Sequence, residues 1–216
     1  MNPIHAGSIT ALVLAGGRAT RMGGIDKGLQ PFRGQPLAMR ALQRLNGGRP
    51  GALVGHCAVN ANRHAETYAQ WGYEVWPDTL PDHPGPLAGM LAGLRRCMTS
   101  HLLTVPCDAP CFPEDLAERL AKGFEAPGVE IAVASVPDEA GVLRRQPVFA
   151  LMQVKLADRL EAYILGGGRK VGQWMAEQQA VEVSFNRPDD DPAAFVNLNT
   201  LDSLRALESG RHHLAS

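Results

Sequence analysis

The residues best suited to chemistry lie in one stretch, LVLAGGRATRMGGIDKG, from Leu12 to Gly28. It carries the glycines Gly16, Gly17, Gly23, Gly24 and Gly28 and the cations Arg18, Arg21 and Lys27. Glycine has no Cβ, so backbone N–H groups in such a loop can turn inward together and approach phosphate oxygens closely. Arginine then meets phosphate with a planar fork and lysine with a point charge. The combination suits a triphosphate tail. Two familiar phosphate loops are excluded. Walker A needs Ser or Thr after its lysine, and Gly28 follows Lys27; the Gly-x-Gly-x-x-Gly fingerprint is absent from the stretch.

Charge supports this reading. The chain of 216 residues has a formal net charge of −1, which argues against a general nucleic-acid binder. Residues 1–49 nevertheless hold Arg18, Arg21, Lys27, Arg33, Arg40, Arg44 and Arg49 against the single acid Asp26. A local positive field of this kind suits a small polyanion such as a nucleoside triphosphate.

A second candidate is Asp108, which follows an apolar run and lies between Pro106 and Pro110. A carboxylate at a strand's carboxyl end can hold a Mg²⁺ that bridges two phosphates. Its alternative is to cap a helix starting near Pro113. Asn60, Asn62 and Asp78 follow the second and third apolar runs, on the rim that the glycine loop would share. By chemistry alone Asn60 could equally cap a helix starting at Arg63, and Asp78 could simply make a turn. The four cysteines form no Cys-x-x-Cys pair and no zinc spacing, and read as reduced thiols of a cytoplasmic chain.

The elements that must position these residues alternate between apolar β-prone runs and amphipathic helical ones, the pattern of an α/β protein with a mostly parallel sheet. Strands are expected at Ile9 to Leu14, Leu53 to Val59, Glu74 to Trp76, Leu102 to Val105, Glu130 to Val136, Pro147 to Met152 and Val181 to Phe185. Helices are expected at Pro36 to Leu45, Arg63 to Trp71, Leu87 to Met98, Pro113 to Gly123, Val154 to Leu165, Arg169 to Gln179 and Leu201 to Glu208. No domain boundary is visible, so residues 1–209 read as one domain and 210–216 as a flexible tail. Its His212 and His213 read as part of that loose end. The longest uncharged apolar stretch near a terminus, Ile9 to Gly17, is about half the roughly 20 residues of a spanning helix and lacks a signal peptide's basic start.

The spacing LAGG, three residues, RMG, three residues, Lys resembles the signature loop of nucleotidyltransferases built on a Rossmann-like sheet. The run RMGGIDKGLQPFRGQPL is similar to the molybdenum cofactor guanylyltransferases. Further matches are VNANRH (Val59 to His64), Pro77–Asp78, GPLAGML (Gly85 to Leu91), PCDAP (Pro106 to Pro110), QPVFAL (Gln146 to Leu151) and FVNLNT (Phe195 to Thr200).

This resemblance implies a Rossmann-like three-layer α/β sandwich that transfers GMP from GTP to the terminal phosphate of Mo-molybdopterin. The products are molybdopterin guanine dinucleotide and pyrophosphate. Cytidylyl transfer to molybdopterin, or another small-molecule nucleotidyl transfer, is the alternative. The resemblance assigns GTP to Leu14, Ala15, Gly16, Gly17, Lys27, Asn60, Asp78 and Asp108, and Mg²⁺ to Asp108. Arg21, Lys27 and Asp108 would be catalytic. Arg169, Lys170, Asn197 and Asn199 are the candidates for molybdopterin, although Gly166 to Gly172 is richer in glycine than the family pattern leads one to expect. Arg144 and Arg145 could assist or form a solvated hairpin tip. Molybdenum-insertion proteins and acceptor molybdoenzymes or their chaperones are the implied protein partners.

Overall fold

A computed structural model describes residues 4–16, 26–45, 51–80 and 85–198. Expectations for Gly17, Arg18, Arg21, Gly23, Gly24, Arg49, Asn199, Leu201 to Glu208 and the tail lie outside the described residues.

The run Ile9–Leu14, apolar but for Thr10, forms β1, buried at the centre of a seven-stranded sheet. β4 (Val54–Asn60) and β6 (His101–Pro106) flank it, both parallel, and β5 (Glu74–Trp76) adds to β4 in parallel. Beyond β6 come β8 (Leu143–Gln153), antiparallel, then β7 (Ile131–Pro137) and β9 (Ala180–Ser184). The order is β5-β4-β1-β6-β8-β7-β9. A two-stranded hairpin, β2 (Pro31–Phe32) with β3 (Gln35–Pro36), stands apart.

Helices cover both faces. α1 (Leu37–Leu45), α2 (Ala65–Ala69) and α4 (Leu116–Lys122) bury Leu42, Tyr68 and Leu120 against one face. α3 (Pro86–Arg96), α5 (Ala157–Leu165) and α6 (Val171–Ala176) bury Leu91, Leu160 and Trp174 against the other. α3 lies flush on the sheet because two of its residues lack a Cβ. One added at Gly93 would stand 2.6 Å from Leu12, and one at Gly89 would stand 2.3 Å from the Asn60 amide oxygen.

Register decides where ligands can bind. Leu14 pairs with Asn60 on one side and Pro106 on the other, and Asn60 pairs with Trp76. Four carboxyl ends are therefore level. The chain leaves β1 for β4 on one side and reaches β6 on the other, so the end of β1 is a topological switch point, where open α/β sheets hold ligands.

Several expectations are corrected in extent. α2 is five residues rather than Arg63 to Trp71, because His64 turns left-handed (φ 52°) and delays the helix. α4 starts at Leu116 and α6 is confined to Val171–Ala176. Val154–Leu156 is a 3-10 turn leading into α5. β8 runs eleven residues and begins at Leu143, four residues before the expected Pro147. Its arginines are held there by ion pairs, Arg144 Nε to Asp138 at 2.7 Å and Arg145 Nε to Glu182 at 2.7 Å. Pro36 belongs to β3 rather than to the following helix.

Candidate active site

The signature loop re-enters the described structure at Asp26. Its Oδ1 accepts the Gly28 N–H at 3.0 Å and caps the 3-10 turn Lys27–Leu29. The same oxygen accepts the Tyr68 hydroxyl at 2.8 Å, from α2. The turn so fixed aims Lys27 at the rim, with Nζ 3.1 Å from Asp108 Oδ2. Both side chains keep some access to solvent, 25% and 14%. An incoming ligand can therefore reach them.

Asp108 is placed by backbone bonds on either side. The Cys107 N–H donates to the Leu14 carbonyl at 3.1 Å, and the Asp108 carbonyl accepts the Leu198 N–H at 2.7 Å. Asp108 does not cap α4, whose N-cap position is Asp115. Burial drives the neighbouring Cys107 thiol well above its usual range, with the carboxylates of Asp108 and Asp26 adding and Lys27 opposing. Two acids and one lysine thus surround this corner of the rim.

Asn60, 3% exposed at the end of β4, donates its amide to the Trp76 carbonyl at 2.8 Å and to Asp78 Oδ1 at 2.9 Å. Asn62 donates to Asp78 Oδ2 at 2.7 Å and accepts the Asp78 N–H at 2.8 Å. Asn60 is therefore no helix cap. The three side chains form a closed network that presents the Asp78 carboxylate at the rim. Gly16 passes directly over it, since a Cβ there would stand 3.0 Å from Asn60 Oδ1 and 3.5 Å from Asn62 Nδ2. The Ala15 N–H donates to the Asn60 carbonyl at 2.8 Å. Leu14, Ala15, Gly16, Asn60 and Asp78 are thus gathered at one end of the rim, with Lys27 and Asp108 across β1 from them.

A family model described as MobA-like NTP transferase domain matches residues 11–182. A molybdenum cofactor guanylyltransferase of Acidovorax ebreus is 50% identical over 214 residues, covering 97% of this chain and 99% of that protein. One of Cupriavidus necator is 50% identical over 201 residues, covering 93% and 96%. The chain belongs to the molybdenum cofactor guanylyltransferase family. The fold agrees with a crystal structure of molybdopterin-guanine dinucleotide biosynthesis protein A from Archaeoglobus fulgidus. That structure has a TM-score of 0.74 and 22% identity, and the match covers 93% of this chain and 97% of that one.

In this member of the guanylyltransferase family, the residues expected on the acceptor side divide between the two faces. Gly166 to Gly168 close the end of α5, where Gly167 has φ 92° and the Gly168 N–H returns to the Tyr163 carbonyl at 2.9 Å. The glycine enrichment is local: a Cβ on Gly168 would strike the Tyr163 ring at 2.3 Å. Arg169 donates to the Ile164 and Gly168 carbonyls at 3.0 and 2.7 Å, so its guanidinium is partly occupied in capping α5. Arg169 and Lys170 line an open depression with Tyr163 and Gln173, and Arg169 also meets the start of α3 at Gly85 to Ala88. Asn197 lies elsewhere, exposed and next to Leu198, whose N–H is bonded to Asp108.

The Asn197 segment is anchored by a group that sequence reasoning missed. Arg119, 4% exposed, pairs with both oxygens of Asp190, donates to the Ser184 carbonyl at 2.8 Å and stacks 3.8 Å over Phe185. Phe195 then packs edge-on between Phe149 and Phe185, at 4.9 and 5.0 Å. Asp26 and Tyr68 were missed too. Asp26 carried a faint signal, an acid directly before Lys-Gly, whereas nothing local marks Tyr68.

Proposed function

We propose that this chain transfers GMP from GTP to the terminal phosphate of Mo-molybdopterin, yielding molybdopterin guanine dinucleotide and pyrophosphate. The observation that carries the reading is the Lys27–Asp108 pair at the switch point, facing the Asn60–Asn62–Asp78 network across the end of β1. The triphosphate would lie along Ala15 and Gly16, with Lys27 neutralising charge that builds on the departing pyrophosphate. The Asp78 carboxylate, with lone pairs remaining, suits the adjacent N1–H and N2 amine of guanine. Cytosine offers only its N4 amine.

The acceptor phosphate is already ionised at neutral pH, so no side chain need remove a proton. One of its oxygens attacks the α-phosphorus of GTP in line. A P–O bond forms there, and the bond from the α-phosphorus to the β-bridging oxygen breaks, releasing pyrophosphate. The protein contributes alignment and charge. Arg21, between Gly17 and Lys27 in the sequence, would assist Lys27.

Asp108 is the residue that would hold Mg²⁺. Lys27 occupies its Oδ2, and its Oδ1 has no protein partner among the described residues. No group of three or more metal-ligating side chains occurs among them either. Such a donor set fits magnesium, a hard cation that takes one or two carboxylates and completes its shell with phosphates and waters. When bound, it would supply charge neutralisation on the phosphates.

The acceptor side draws on Arg169, Lys170, Asn197 and, in the sequence beyond, Asn199. No helix among the described residues is long and apolar enough to cross a membrane. A reaction that consumes GTP belongs in the cytoplasm, where molybdenum-insertion proteins and acceptor enzymes or their chaperones would meet it. Incubation with α-³²P-GTP, Mo-molybdopterin and magnesium, followed by chromatography, tests the reading. Label in the dinucleotide with GTP and not with α-³²P-CTP is expected. Label from CTP alone, or none from either, overturns it.

A further inference from the structure

Tyr68 is a buried phenol with no part in the chemistry just described. It lies on α2, is fully shielded from solvent, and packs edge-on against Trp71 at 5.0 Å. Burial, and then the charge of Asp26, drive its ionisation far above the usual tyrosine range. It is therefore a permanent hydrogen-bond donor.

That donor is spent on one atom, Asp26 Oδ1, at 2.8 Å. The oxygen is shared with the Gly28 N–H at 3.0 Å, the bond that starts the turn bearing Lys27. A carboxylate holding two donors on one oxygen is restrained in rotation, and so is the turn it caps. The fit is close, because a Cβ on Gly28 would stand 2.3 Å from the Tyr68 hydroxyl and 3.3 Å from the Cβ atoms of Ala15 and Ala38. The hydroxyl occupies the space that glycine leaves. α2 is the next helix after β4, starting three residues beyond Asn62, and the Tyr68 N–H is bonded to the His64 carbonyl at 3.2 Å. The element that leaves the base side of the rim thus fixes the lysine on the phosphate side.

We propose that Tyr68 is a positioning residue: its hydroxyl, acting through Asp26, holds Lys27 in the place from which it meets Asp108 and the triphosphate. The catalytic half of this statement rests on the guanylyl-transfer reading above; the structural half does not. Lys27 acts on charge that develops in the transition state, so loosening it lowers kcat more than it raises KM.

The test uses Tyr68→Phe in the full chain, which removes one oxygen and keeps the ring. The chain has four lysines, Lys27, Lys122, Lys155 and Lys170, so acetylation by acetic anhydride read peptide by peptide carries its own references. In Tyr68→Phe, Lys27 is expected to acetylate at least about threefold faster with the other three unchanged, because loosening the turn opens an amine that is only 25% exposed in the pair with Asp108. kcat is expected to fall at least about fivefold, with KM for GTP moving less than about twofold. Gly28→Ala pushes the hydroxyl away and should show both effects. The double variant Gly28→Ala, Tyr68→Phe relieves the crowding and should recover thermal stability while remaining slow. Wild-type acetylation of Lys27 in Tyr68→Phe overturns the latch. Faster acetylation with unchanged kcat, or a double variant that recovers turnover, overturns its role in positioning. Wild-type protein that forms no dinucleotide refutes the guanylyl-transfer reading and with it the catalytic half, leaving the acetylation rates to judge the latch alone.

Discussion

Gly89→Ala separates helix propensity from site geometry. In an ordinary helix interior the change stabilises by about 1 kcal/mol, because alanine is the best helix former. Here the new methyl would stand 2.3 Å from Asn60 Oδ1, 2.9 Å from its Cγ and 3.0 Å from Leu14 Cδ2. Asn60 is short and doubly bonded, to Trp76 and Asp78, so it cannot simply swing aside. Overpacking of this kind costs about 1–3 kcal/mol, and breaking hydrogen bonds of a buried amide costs about 1–3 kcal/mol more. The propensity gain is therefore outweighed, and a net loss of about 1–5 kcal/mol is expected. For a chain of this size each kcal/mol lowers Tm by about 2–4 °C, so calorimetry should show a fall of about 2–20 °C. Displacing Asn60 also disturbs Asp78, so GTP affinity should drop at least about tenfold, the equivalent of one such bond. A Gly89→Ala protein as stable as wild type, with GTP affinity unchanged, would refute the packing argument and the place of Asn60 in the site.

Lys27→Ala and Asp108→Asn should each lower turnover at least about tenfold, while the partly exposed ion pair they break is worth only about 0–1 kcal/mol, so Tm should hold nearly constant; near-normal rates in either folded protein would dismiss the assigned roles. Arg119→Met takes the guanidinium partner from the half-buried Asp190, leaving it the Arg187 N–H, and should destabilise by about 1.5–3 kcal/mol in urea titration, with less than about 0.5 kcal/mol counting against the anchor. Acid should unfold the protein partly through this same pair. Arg119 holds the Asp190 carboxyl below the usual range, and Arg159 does the same for Glu130. Their contribution is complete above the unfolded carboxylate range and is lost as pH falls through the lowered folded values, below about pH 4. Asp190→Asn should flatten that acid limb, and an unchanged limb would count against the linkage.

The strands carrying the site were legible because they are buried on both faces and read as near-continuous apolar runs, as Ile9–Leu14 does. Gly16 and Gly28 stood out by composition, and each leaves room where a Cβ would crowd Asn60 or the Tyr68 hydroxyl. The start of β8, before the expected Pro147, was not, since Leu143, Arg144 and Arg145 are exposed and only pairing with β7 and ions across the strands make them a strand. Lys27, Asn60, Asp78 and Asp108 stood out by type and by place after a strand. Tyr68 did not, because its meaning depends on a contact 42 residues away in the chain. The capping of α5 by Arg169 was hidden for a related reason: a guanidinium facing carbonyls and one facing phosphate look alike in sequence. Local pattern reveals elements and chemical types, while long-range hydrogen bonds decide what each polar group is left free to do.

The central claim is that Lys27 and Asp108 share a magnesium-dependent triphosphate site at the end of β1. Isothermal titration of GTP into the wild-type chain, with magnesium and then with excess EDTA, and again with Asp108→Asn, tests it most directly. The account predicts saturable binding with magnesium, weakened at least about tenfold by EDTA and by Asp108→Asn alike, with EDTA adding little to the variant. Binding of equal strength in all four titrations, or no binding in any, would contradict it.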